Sequence, residues 1–235
     1  GDNALAYLHQ SLQELAQFEH AQAQSLRAKK SPEATAAFGR AAKWYREFVQ
    51  TFAQDAQVAE MTFLLGECLN EAGDLPAAMD AYEQVAYGYM DKLRGADAGY
   101  AAILLPQQLI QSARSLPDNR LAEWQNRKIQ NALNFADVYN TDPRAVAVLA
   151  EASDDLLQQN RYVDAKMIAE RVIEWQPPAE GKLLFSSWLI LGHSRFETKE
   201  YAAAEQAYMQ VLALLPAYGK NPGAPSAQQV RERVA

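Results

Sequence analysis

Trp188-x-x-Leu191-Gly192, then Ala204-x-x-x-Tyr208-x-x-Val211, then Pro216: this stretch decides how the chain folds. Its spacing is that of a helix–turn–helix unit that stacks on further copies of itself. Trp188, Leu191 and Gly192 fall on one face of a first helix, where Gly192 lets a second backbone come close. Ala204 and Tyr208, one turn apart on the returning helix, fill that gap. Pro216 has no amide to donate and is expected to end the second helix. A single such unit cannot bury its own apolar face, so the spacing predicts neighbours.

Two further copies stand in register. In one, Leu65-Gly66 takes the place of Leu191-Gly192, followed by Gly73-Asp74 at the turn and by Ala78, Tyr82 and Val85. In the other, Asn160-Arg161-Tyr162 parallels Lys199-Glu200-Tyr201, with Ala165, Ala169, Val172 and a closing Pro177. That copy has Ala152-Ser153 in place of Leu-Gly, which keeps the residues small. Over 59–90, 146–178 and 185–217 the chain resembles the tetratricopeptide repeat family. Degenerate units flank these copies. Residues 32–53 read as a return helix with Ala41, Tyr45 and Phe48, and 119–143 as another with Phe135, Val138 and Pro143, but with Asn131 where alanine is expected. The helices before them, near 3–29 and 96–116, lack the Trp and Leu-Gly signature and are longer than the family standard.

The resemblance implies an all-α, right-handed superhelical solenoid of antiparallel helical hairpins, with four or five units and a long N-terminal helix pair. The expected division is a hairpin over 1–55, an array over 56–217 whose stretch 96–143 is irregular, and a linker with the start of a further helix over 218–235. The last segment reads as part of a longer protein, because terminal repeats need a polar cap. Ser31-Pro32-Glu33, Asp74-Leu75-Pro76 and Asp142-Pro143 each set a capping side chain beside a proline at a helix start. Pro117-Asp118-Asn119 marks another turn. Pro106 conflicts with the apolar helical pattern around it and predicts a kink or a break. Leu5, Leu8, Leu12 and Leu15 form a short seam that Glu19 and Gln22 interrupt. Its expected role is packing against the helix at 32–53, with self-association as the alternative.

Composition excludes more than it identifies. The 235 residues are 49% hydrophobic, enough to bury a core, and sparse glycine and proline favour helix. A net charge of −7 argues against nucleic acid, which requires clustered Lys and Arg. No apolar run approaches the ~20 residues of a membrane span. The single cysteine, Cys68, rules out an internal disulfide and reads as a buried, inert thiol.

In the family, the first helices of successive repeats line a concave groove that holds a partner segment, through positions 2, 5, 9 and 12 of each unit. Carried onto this chain, these are Glu60, Phe63, Glu67 and Asn70, then Ala147, Ala150, Asp154 and Leu157, then Ser186, Leu189, His193 and Phe196. The resemblance thus implies a groove suited to a peptide with apolar anchors and basic side chains. One subfamily clamps the C-terminal carboxylate of chaperones with Lys, Asn and Arg at these positions. Here position 9 is Glu67, Asp154 or His193, and carboxylates repel a carboxylate, so that mode is rejected.

Catalytic signals are lacking. His9 and His20 share a helix about three turns, ~16 Å, apart and cannot grip one metal. His193 and Ser194 are adjacent and point to different sides of their helix. No nucleophile elbow, phosphate-binding glycine loop or zinc-binding helix motif occurs. The expectation is a non-enzymatic protein–protein interaction scaffold with no cofactor or metal. Its Ala- and Gln-rich, stretched hairpins resemble those of bacterial cell-envelope proteins that organise outer-membrane and export assemblies, which implies a periplasmic or envelope location. The alternatives are a cytosolic adaptor and an accessory domain that recruits or regulates an enzyme.

Overall fold

Helix is the only regular structure among the described residues of this computed structural model, namely 2–112, 118–218 and 226–232. Its elements are α1 (Asp2–Ala28), α2 (Ala34–Thr51), α3 (Val58–Glu71), α4 (Leu75–Glu83, prolonged by a π-helical turn over Gln84–Gly88) and α5 (Gly95–Ser112). Then come α6 (Asp118–Val138), α7 (Ala145–Gln158), α8 (Tyr162–Ile173), α9 (Gly181–Glu197), α10 (Tyr201–Tyr218) and α11 (Ala227–Glu232). They fall into two compact units, residues 1–131 and 132–235. In the first, α1 packs on α2, α2 on α3, α3 on α4 and α4 on α5. In the second, α7 packs on α8 and α9, α8 on α9, α9 on α10, and α10 on α11. Each of these helices thus packs on near neighbours in sequence, the logic of stacked hairpins.

Four hairpin turns share one backbone device. Lys30, Gly73, Asn160 and Lys199 all have positive φ, between 53° and 83°. Each sits one residue beyond its helix's cap. The next amide then reaches back five residues: Ser31 N–H donates to the Leu26 carbonyl, Asp74 to Leu69, Arg161 to Leu156 and Glu200 to Arg195, at 2.8–2.9 Å. This satisfies carbonyls that the helix end would otherwise leave unpaired. Asp74 also caps α4, its Oδ1 accepting from Ala77 N–H at 3.3 Å. Ser31 and Asp142 do not cap. Their oxygens accept from the amides of Glu33 and Arg144, two residues on, and so shape the turns ahead of α2 and α7.

The Gly–Tyr pairing expected from the repeat is present twice. A Cβ added to Gly66 would lie 2.9 Å from the Tyr82 ring, and one added to Gly192 would lie 2.9 Å from the Tyr208 ring. Both tyrosines are buried. The third copy has a residue with a Cβ at that place, Ser153, and the aromatic is replaced by Ala169; both are fully buried. Trp188 is only half-buried, packed at the edge of a core of Phe185, Ala204, Tyr208, Val211 and Val230.

Both prolines expected to interrupt helices lie inside them. α5 runs through Pro106 because a side chain fills the bond that the proline forfeits: Asn131 Nδ2 donates to the Ala102 carbonyl at 3.2 Å. α10 runs two residues past Pro216. In a last turn a proline removes only one helical bond, and Tyr218 beyond it packs on the core and covers Gly181. The leucine seam also departs from expectation. Leu12 is buried, but Leu5, Leu8 and Leu15 are exposed, and α1 meets α2 through Leu12, Ala16, His20 and Ala23 instead. Pro117 and the linker over 219–225 lie outside the described residues.

Candidate functional site

α7 divides its residues between two faces. Val148, Leu149, Ala152 and Leu156 are buried in the hairpin core, and Ala150, on the opposite face, is buried as well. Ala147, Ala150, Asp154 and Leu157, spaced by three and four residues, share the other face. α9 presents Ser186, Leu189 and His193 with the same spacing. All seven line one cavity of about 1180 Å³, to which α11 adds Gln229, Val230 and Glu232. Of the positions expected there from the last unit, Phe196 lies outside the lining, with its ring edge against Tyr201 at a centroid distance of 5.5 Å.

The cavity has an apolar floor and an acidic rim. Ile190, Tyr208 and Val230 are almost wholly buried, and Leu157 and Leu189 stand partly open beside them. Among the described lining residues, Glu151, Asp154 and Glu232 supply three carboxylates beside the amine of Lys182. Gln158 donates to Asp154 at 2.6 Å, which fixes one oxygen and leaves the carboxylate's other lone pairs available. The His193 ring stands edge-on to Tyr162, with its Nε2 3.9 Å from Glu197. The volume exceeds that of a typical small-molecule pocket and suits a peptide segment of several residues.

The matching positions of the first unit are placed differently. The Arg94 guanidinium lies 5.0 Å above the Phe63 ring and 3.6 Å from Glu60. Phe63 also meets Tyr82 edge-on at 5.7 Å. Burial, with Glu60 and Glu71 nearby, holds the Glu67 carboxyl above its usual range, and Arg94 opposes that rise. Asn70 is half-buried. Thus Glu60, Phe63 and Glu67 form one cluster with Arg94, a residue with no place in the repeat pattern.

Glu151, Lys182, Leu183, Ile190 and the residues of α11 are cavity members that the register did not supply. Glu151 was findable, since it lies three residues before Asp154 and four after Ala147. α11 was not, because six residues beyond a linker carry no repeat signature. The histidines have structural partners: His9 Nε2 is 3.0 Å from Asp55 and His20 Nδ1 is 3.2 Å from the Tyr45 hydroxyl. Cys68 is fully buried, and that burial, with Glu67 and Glu71 nearby, pushes its thiol up to about 12. Among the described residues no three His, Cys, Asp or Glu side chains gather in a metal-binding group. No helix among them is long and apolar enough to cross a membrane.

No family model matches the chain, and no curated protein does. Solved structures of similar architecture include BtubC from P. vanneervenii, at 14% identity over 95% of this chain and 97% of that one, with a TM-score of 0.43. A thermophilic TPR protein of Thermus thermophilus shares 11% identity over 93% and 96%, with a TM-score of 0.39. A tetratricopeptide repeat protein of Parabacteroides merdae shares 10% over 94% and 71%, with a TM-score of 0.44. Within the chain, tyrosines pack over Gly66 and Gly192 and the hairpins share one positive-φ turn. The hairpins resemble those of tetratricopeptide repeats. Their first helices, α7 and α9, carry the cavity.

Proposed function

We propose that the chain is a non-enzymatic protein-interaction scaffold, and that the cavity of the second unit holds a partner segment with an apolar anchor and basic side chains. The observation that carries this reading is the lining formed by the described residues: a buried apolar floor under the carboxylates of Glu151, Asp154 and Glu232, with Lys182 beside them. An apolar side chain entering over Leu189 and Val230 loses its contact with water, and Lys or Arg beside it reaches Glu151 and Asp154. Such charge-assisted bonds fix register as well as adding affinity. Selection of a random peptide library on the 235-residue chain should return segments that join a large apolar residue to Lys or Arg. Replacing both Glu151 and Asp154 by Lys should weaken the selected peptide at least tenfold, about 1.4 kcal/mol, with helical content unchanged. A library that yields acidic segments, or binding indifferent to the double replacement, defeats the reading.

The role we assign to this scaffold is organising a bacterial envelope or export assembly. Support comes from the style of its hairpins, rich in Ala and Gln and stretched at the N-terminal end, where α1 spans 27 residues. Fractionation of the source cells tests it: recovery in the periplasmic or envelope fraction is expected, and an exclusively cytosolic protein removes that assignment.

A further inference from the structure

α11 differs from the other cavity helices in how it is held. It spans six residues, Ala227–Glu232, and a helix this short does not persist alone in water. Its polar side chains bond within the segment. Ser226 Oγ accepts from the Gln229 amide at 3.1 Å, and Gln229 Oε1 accepts from the Ser226 amide at 2.8 Å. These two bonds make a reciprocal cap. Gln228 donates to Glu232 at 2.9 Å, one turn on.

Val230 is the anchor. Its side chain is 1% exposed and sits with Phe185, Tyr208 and Val211 in the core beneath the cavity, next to the partly open Leu189. In the sequence Val230 is followed by Arg231 and Arg233. The segment thus joins an apolar anchor to cations, the chemistry that suits a cavity bearing Glu151 and Asp154.

We propose that α11 is the cavity's built-in occupant, and that a partner segment displaces it and seats its own apolar side chain where Val230 lies. This rests on the reading of the cavity as a partner site. An anchor entering over Leu189 first meets Val230; in its place it gains Phe185 and Tyr208 as well. Undocking α11 leaves the bonds of Ser226, Gln228 and Gln229 intact and exposes Val230, a loss that the partner's anchor makes good. Seven residues, 219–225, with two glycines and two prolines, join α10 to Ser226. A tether of that length holds a segment near its site at about millimolar effective concentration. A free partner therefore prevails with an anchor larger than valine, and weaker segments are turned away.

Hydrogen exchange on the 235-residue chain tests this without any variant, using the peptide that library selection returns. At saturating peptide, exchange across 226–232 should rise, while α10 keeps its protection. A peptide that protects α11 makes it a fixed wall of the site and overturns the proposal. Val230→Ser, which loosens the anchor, should tighten peptide binding at least about fivefold, because more of the chain is competent to bind. Unchanged or weaker binding to that variant overturns the proposal while leaving the partner site standing. If neither wild type nor Val230→Ser binds any peptide joining an apolar residue to Lys or Arg, the reading of the cavity fails, and this inference with it.

Discussion

Glu60, Phe63, Glu67 and Asn70 on α3 hold the same repeat positions as Ala147, Ala150, Asp154 and Leu157 on α7. In the α3 set Phe63 and Glu60 are met by Arg94 of the same chain, while the α7 set lines a cavity of about 1180 Å³. The residue that makes the difference precedes the next first helix. Arg94 stands just before α5 and lies over Phe63; Glu180 stands just before α9 and is not part of the cavity lining. A repeat position therefore offers a side chain, and the connection into the following hairpin decides whether that side chain meets solvent or a neighbour.

Arg94 can stay over Phe63 only while α5 is held in place, so the largest expected effect lies in that anchoring. Asn131 Nδ2 donates to the Ala102 carbonyl and, at 2.8 Å, to Glu83 Oε1. Arg127 holds the same Glu83 by two bonds of 3.0 and 2.8 Å and also reaches Asp80. Asn131→Ala leaves a buried carbonyl unpaired and should cost about 2 kcal/mol in urea unfolding. Pro106→Ala returns the amide that Ala102 lacks, so the two changes together should cost about 1 kcal/mol less than their separate effects predict. Strict additivity would show that Asn131 does not stand in for the proline's amide.

A smaller effect is expected at the covering residue. Arg94 and Glu60 are each 43% exposed, so their ion pair adds little, and most of the contribution is the cation over the Phe63 ring. Arg94→Ala should cost about 0.5–1 kcal/mol and make Phe63 reactive in hydroxyl-radical footprinting, while Leu189 in the cavity keeps its reactivity. A Phe63 that stays protected would mean that α3 is covered by something other than Arg94.

The hairpin order and the Gly–Tyr packing were legible because each depends on size at a fixed spacing, and size is what a residue letter reports. The turns were not. One backbone geometry is built at Lys30, Gly73, Asn160 and Lys199, and only glycine and asparagine advertise it. Pro106 and Asn131 were each visible as departures from the pattern, 25 positions apart; nothing local says that one compensates the other. The face positions of α7 and α9 followed from register. The contributions of Lys182 and α11 depend on tertiary placement, as does the cover that Arg94 gives to α3.

Protonation offers the finest probe of the covered face. Glu67 is held above its ordinary 4.5, first by burial and then by Glu60 and Glu71, against the pull of Arg94. The folded state thus binds this proton more tightly than the unfolded chain does. Its contribution to stability is complete below the ordinary value, is lost as pH rises through the raised one, and is constant beyond. Asp142, held low by its bonds from Arg144, works in the opposite sense, so the informative quantity is the difference between wild type and Glu67→Gln. Urea midpoints measured from about pH 4 to 7 should show the wild type losing stability relative to that variant. In an Arg94→Ala background the loss should extend to higher pH, because the cation that favoured the carboxylate is gone. Parallel curves would mean that Glu67 is as open to water as an ordinary surface carboxylate, and the contrast between α3 and α7 would then rest on Phe63 alone.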